Sequence, residues 1–118
     1  MSYPANVTAL QNSTISAFNA ISTSAGQVAV PVATRNKITF HNPGTIDIVV
    51  FPLTAYAGLP QPSGGSVALA PTTSLLGGGF RVYANGGEIV RTGQAAKQGW
   101  QALSVSGSGN PLTVMEEA

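Results

Sequence analysis

The chain has 118 residues, 43% hydrophobic and 8% charged, with a formal net charge of +1 and no cysteine. This length fits a single domain around one core, and the lack of cysteine excludes disulfides, thiolate chemistry and Cys-ligated zinc. Ordinary soluble domains carry about 25% charged residues, so this surface must be built from Ser, Thr, Asn, Gln, Gly and Ala, with little repulsion between copies.

Residues 1–26 carry no charged side chain. Leu10, Ile15, Phe18 and Ile21 are spaced loosely like one helical face, and Ser13 or Thr14 suits a helix cap. Ser, Thr, Asn and Ile are mediocre helix formers, so the expectation is a non-β N-terminal arm or short helix over 1–26. It would grip a neighbouring subunit through Leu10, Ile15, Phe18 and Ile21. The first residues show no basic region leading into an apolar run, so no secretory leader is expected. No window is apolar enough to span a bilayer as a helix, and no membrane partner is expected.

From Gln27 onward the sequence predicts a β-rich domain over 27–118. Val28, Val30 and Val32 alternate around Pro31, as on an edge strand. Lys37 to His41 places Ile38 and Phe40 on one face. Asn42-Pro43-Gly44-Thr45 then reads as a type II turn with positive φ at Gly44, and Ile46 to Phe51 as the returning strand of a hairpin. Residues 52–65 hold three prolines and three glycines and read as a long loop. A strand signal follows at Ser66 to Leu69.

Phe80 to Ala84, the dipeptide Asn85-Gly86 and Glu88 to Arg91 predict a second hairpin around a type I′ turn. Residues 92–99 are polar. Trp100 to Val105 and Leu112 to Met115 complete the strand set. Seven or eight short strands separated by turn chemistry predict an all-β fold, a jelly-roll-like β-sandwich. The expected core is Val30, Ile38, Phe40, Ile46, Ile48, Val50, Leu69, Phe80, Val82, Ile89, Leu103, Val105 and Val114.

The inventory for catalysis is short. The acids are Asp47, Glu88, Glu116 and Glu117, and His41 is the only imidazole. A Ser-His-Asp site would need His41, which reads instead as a strand-end residue beside a turn. Asp47 and Glu88 fall in separate strands and read as solvated residues rather than a glycosidase pair. Gly77-Gly78-Gly79 lacks the Gly-Lys-Ser/Thr sequel of a phosphate loop. No enzyme activity, metal site or cofactor is expected. The bases Arg35, Lys37, Arg81, Arg91 and Lys97 are scattered, unlike a nucleic-acid surface. Trp100, Tyr83 and Tyr56 allow a carbohydrate platform. The alternative places Trp100 over the core and Tyr83 at an interface.

The stretch from Arg35 through Lys37-Ile38-Thr39-Phe40-His41-Asn42-Pro43-Gly44-Thr45 to Phe51-Pro52 resembles small structural proteins of tailed bacteriophages. Val67-Ala68-Leu69-Ala70-Pro71 and Leu112-Thr113-Val114-Met115-Glu116-Glu117 are similar in style. The resemblance covers about residues 27–117 and implies a capsid decoration, or cement, protein. Such proteins are made in the host cytoplasm and act on the capsid exterior. The partner implied is the major capsid protein, bound by a homo-oligomer, a dimer or trimer. The expected contact residues are Leu10, Ile15, Phe18, Ile21, Tyr83 and Trp100. The competing expectation is a tail or fibre host-recognition module that binds carbohydrate.

Overall fold

A computed structural model describes residues 13–52 and 79–118. These form eight strands and one helical turn: β1 (Ser13–Ile21), β2 (Gly26–Ala29), β3 (Lys37–Asn42), β4 (Ile48–Pro52), β5 (Phe80–Val82), β6 (Gly87–Thr92), α1 (Gln94–Lys97), β7 (Trp100–Ser104) and β8 (Asn110–Glu117). They build two four-stranded sheets, ordered β1-β8-β3-β6 (sheet I) and β2-β7-β4-β5 (sheet II), with every pair antiparallel. The fold is an all-β sandwich, as the spacing of strands and turns predicts.

The winding is not the one the turn signals suggest. β3 and β4 lie in different sheets, and so do β5 and β6. Neither predicted hairpin exists, because each turn carries the chain from one sheet to the other. Four such corners, β1–β2, β3–β4, β5–β6 and β7–β8, sit together along one rim. Backbone bonds stitch them: Asn85 N–H to the Gly44 carbonyl and Gly86 N–H to the Asn42 carbonyl, both 2.7 Å, Val105 N–H to Asp47 at 3.1 Å, and Ser104 N–H to Ser22 at 2.8 Å. Turn chemistry specifies a local change of direction. It does not specify which sheet receives the next strand.

Asn42 turns the first of these corners. Its buried amide donates to the Ile46 carbonyl at 2.8 Å and the Val82 carbonyl at 2.9 Å, while its Oδ1 accepts from Gly44 N–H at 3.0 Å. That side chain does the work assigned to a type II turn, and Gly44 has no positive φ. Glycine is required there for closeness: a Cβ on Gly44 would lie 2.8 Å from Pro111 Cδ. Ile46 falls in this corner, half-buried, rather than in a strand. Asn85 (φ 63°) and Gly86 (φ 101°) do adopt the positive φ expected of that dipeptide, at a corner instead of a hairpin.

Residues 13–21 are neither helix nor loose arm. They form β1 and pair with β8 from Ser13↔Glu117 to Phe18↔Leu112. Ser, Thr and Ile suit a pleated surface better than a helix, and β8 supplies the ladder that satisfies their backbone groups. Sheet I therefore starts inside the segment expected to be an arm, and the division at residue 26 does not mark its edge. The stretch 92–99, read only as polar, contains α1, one helical turn with Ala96 buried.

The main core lies between the sheets. Ile38, Phe40, Leu112 and Val114 of sheet I face Val28, Ile48, Val50, Val82, Trp100 and Ala102 of sheet II, with Phe18, Phe80 and Ile89 packed at its margin. Of the expected core, Ile38, Phe40, Ile48, Val50, Val82, Leu103 and Val114 are buried, while Val30 is 58% exposed because β2 ends one residue earlier. Leu69 lies outside the described residues. A second apolar cluster, Val49, Phe51 and Leu103, occupies the other face of sheet II. This explains why β4 reads as an unbroken apolar run: both of its faces are buried.

Candidate interaction surface

The structure separates the residues expected to make contacts. Leu10 lies outside the described residues. In β1 side chains alternate with a period of two, so Ile15 and Phe18 take opposite faces. Ile15 is 71% exposed, Phe18 packs against the core, and Ile21 is buried after a register shift between Phe18 and Ile21. The shared helical face expected for Ile15, Phe18 and Ile21 does not form.

Trp100 is a core residue, 1% exposed, not a platform. Its ring lies 5.2 Å from Phe40 and 5.9 Å from Phe80, both tilted, and its Nε1–H donates to the Ala95 carbonyl at 3.1 Å. It cannot stack on a sugar or touch a partner without unfolding the sandwich. Tyr83 is 62% exposed just beyond β5, with the Arg81 guanidinium 6.0 Å from its ring centre. Tyr56 lies outside the described residues.

What the fold assembles instead is a row of uncharged residues across the outer face of sheet I. Registers place Ile15 beside Met115, Met115 beside Thr39 and Thr39 beside Val90, one row crossing all four strands. Ile15 and Val90, at its ends, are exposed, and Thr39 in its middle is buried. The next row towards the corners is Ala17, Thr113, His41 and Glu88, and the row on the other side is Ser13, Glu117, Lys37 and Thr92. Charge sits at the margins of this face and an uncharged band runs through its centre. Met115, Thr39 and Val90 escape sequence reading because nothing local shows that three distant segments share a register.

The charged groups serve the scaffold. Arg35, 2% exposed, follows β2 in the connection to β3. Its guanidinium donates to Glu116 Oε2 at 2.6 Å, to the Val30 carbonyl at 3.0 Å, and to the Ala96 and Gln98 carbonyls. Lys97 Nζ donates to the Arg35 carbonyl at 3.1 Å and to Asn36 Oδ1 at 2.9 Å. Together these tie the β2–β3 and β6–β7 connections to the end of β8, at the rim opposite the four corners. A pocket of about 250 Å³ lies beside this lock, lined by Thr14, Val32, Thr34, Arg35, Glu116, Glu117 and Ala118. Glu116 is thus a structural anchor.

Asp47 is also anchored. Its Oδ1 accepts from Ala84 N–H at 2.7 Å and its Oδ2 from Arg81 Nε at 2.9 Å, and these two donors hold its pKa below the ordinary value of 3.8. His41 lies directly opposite Glu88 across the β3–β6 ladder, with Nδ1 3.2 Å from a Glu88 oxygen, in a contact whose angles do not make a hydrogen bond. Asp47 and Glu88 have separate partners and do not converge on one site. Among the described residues there is no cluster of three or more His, Cys, Asp or Glu side chains, and no helix long and apolar enough to cross a membrane. The sequence matches no protein-family model and no curated protein.

Proposed function

We propose that this chain is a virion structural protein of a tailed bacteriophage, a cement protein that binds the outer capsid and bridges subunits of the major capsid protein. The outer face of sheet I carries this reading. Its central row of Ile15, Met115, Thr39 and Val90 carries no charge, with Ile15 and Val90 exposed at its two ends. Such a face loses its water at lower cost than a charged one. Repetition over a symmetric shell multiplies weak contacts into durable attachment. Two further features support it: the 8% charged composition, and a strand order that passes from sheet to sheet at the four corners of one rim and at the β2–β3 and β6–β7 connections of the other, as windings of the jelly-roll kind used by many viral capsid domains do.

The test is sedimentation of the purified protein with undecorated capsids. The wild type is expected to pellet with the shells and to saturate at a fixed stoichiometry. A double variant, Ile15→Asp with Val90→Asp, changes two exposed positions and is expected to stay in the supernatant while remaining folded. A wild-type protein that stays in the supernatant at saturating shell concentration overturns the proposal.

A further inference from the structure

The β5–β6 corner sets a carboxamide beside a backbone nitrogen that can attack it. Asn85 is exposed and, among the described residues, is the one non-glycine residue with positive φ, at 63°. Gly86 follows it. The backbone nitrogen of the residue after an asparagine can close onto the side-chain Cγ and expel ammonia. Glycine favours this closure, because it has no Cβ in the path and its backbone turns freely. No other asparagine of the chain precedes glycine. Asn6, Asn12, Asn19 and Asn36 precede Val7, Ser13, Ala20 and Lys37, and Asn42 and Asn110 precede prolines, which have no N–H to give up.

The folded corner withholds the nucleophile. Gly86 N–H donates to the Asn42 carbonyl and Asn85 N–H to the Gly44 carbonyl, both at 2.7 Å, and Gly87 N–H donates to the Tyr83 carbonyl at 3.0 Å. Asn42 is buried, and its own side chain is bonded to Ile46, Val82 and Gly44. The turn is also tight, since a Cβ on Gly87 would collide with the Tyr83 carbonyl. Attack requires the Gly86 nitrogen to shed its proton and swing onto Cγ of Asn85. Both steps break its bond to Asn42.

We propose that Asn85 is a deamidation site gated by this corner, converting only while the Gly86–Asn42 bond is open. The Gly86 nitrogen forms a bond to Cγ, the Cγ–Nδ2 bond breaks, and ammonia leaves with the proton that Gly86 gives up. Water then opens the cyclic imide. Opening at Cγ leaves aspartate. Opening at the main-chain carbonyl leaves isoaspartate, in which the backbone runs through Cγ and is one methylene longer. Water is the only co-reactant. Either product adds a carboxylate, which cancels the formal net charge of +1. The aspartate stands one residue from Ala84, whose N–H binds the Asp47 carboxylate at 2.7 Å, so two like charges come close together. The longer isoaspartyl backbone moves the Gly86 N–H away from the Asn42 carbonyl. The reaction belongs to the chain alone and does not depend on what the protein binds.

The test incubates the wild type in mildly alkaline buffer, folded and in concentrated urea, and follows each asparagine by peptide mass spectrometry, which reads the exchange of ammonia for water. Asn85 is expected to convert before any other asparagine in both states. In the folded protein it is expected to convert at least about tenfold more slowly, because a bonded turn must first open locally. Hydrogen exchange at the Gly86 amide reports that same opening, and its protection is expected to be at least as large as the slowing. Equal rates in the folded and unfolded chains, or earlier conversion at another asparagine, overturn the proposal. So does a Gly86 amide that exchanges freely in the folded protein while Asn85 stays intact, since the corner is then open and does not hold the reaction back.

Discussion

Arg35 and Glu116 meet at 2.6 Å although 81 residues separate them, and their pair closes the end of the sandwich opposite the corners. The guanidinium is buried and also bonded to three backbone carbonyls, so the connections before β3 and β7 depend on it. Removing one partner of a buried pair strands the other, which costs about 3–5 kcal/mol. Because Glu116 keeps some exposure, Glu116→Gln is expected near the lower end of that range and Arg35→Met above it. Lys37 and Glu117, 3.8 Å apart and nearly half exposed, form the internal control. Glu117→Gln is expected to change stability by about 0.5 kcal/mol or less. Urea denaturation of the three variants checks the ranking.

The corner at Asn42 predicts an asymmetry between amide and carboxylate. Asn42→Ala leaves the Ile46 and Val82 carbonyls without their donor and is expected to cost about 2–4 kcal/mol, at 1–3 kcal/mol for each unsatisfied buried group with partial relaxation. Asn42→Asp is expected to cost more at neutral pH, since a carboxylate faces two carbonyls and donates nothing. Its folded-state pKa is then raised, so this variant recovers stability as pH falls, the reverse of the wild type. Denaturation midpoints at neutral and acid pH separate the two substitutions.

Gly44 and Pro111 predict a coupled pair. The Cβ of Gly44→Ala would sit 2.8 and 2.9 Å from Cδ and Cγ of the Pro111 ring, and a stiff ring yields little. The expected cost is about 1–3 kcal/mol, as for other overpacked sites. Pro111→Ala in the same chain is expected to return part of it, and a double-mutant cycle measures the coupling.

The Asp47 carboxyl has its pKa lowered in the folded state, first by the Ala84 N–H and then by Arg81. A depressed acid contributes stability that is complete above its unfolded pKa of about 3.9 and is lost as pH falls through the folded value. Wild-type stability is therefore expected to decline below about pH 4. Asp47→Asn is expected to start lower and to show a shallower decline. Thermal unfolding followed across the acid range reads the difference in slope.

Trp100 gives a direct optical check of its place in the core. Fluorescence of the single Trp is expected to be blue-shifted and poorly quenched by iodide in the folded protein. Trp100→Ala is expected to cost about 3–5 kcal/mol. Tyr83→Ala, at an exposed position, is expected to fall within about 0.5 kcal/mol of wild type.

The all-β class and most strand positions were legible in the sequence. Alternation in Lys37 to His41 and Phe80 to Val82 and the positive φ of Asn85-Gly86 are local properties, set by neighbouring residues. The low charge was likewise legible, and the uncharged row Ile15, Met115, Thr39 and Val90 on sheet I agrees with it. The burial of the residues expected to make contacts was legible only in part. Ile15 is exposed, but its outward direction comes from the β1–β8 register, and Trp100 shows no local sign that Phe40 and Phe80 will enclose it.

What the tertiary structure alone decided is which sheet each strand joins, which face of each strand is covered, and where the few charges find partners. Asn42 sends β4 to the other sheet because its amide reaches Val82, forty residues away. Arg35 is buried because Glu116 and three carbonyls converge on it from distant segments. A strand's sequence carries its period, but the burial of either face depends on what the rest of the chain lays against it, and that follows from packing.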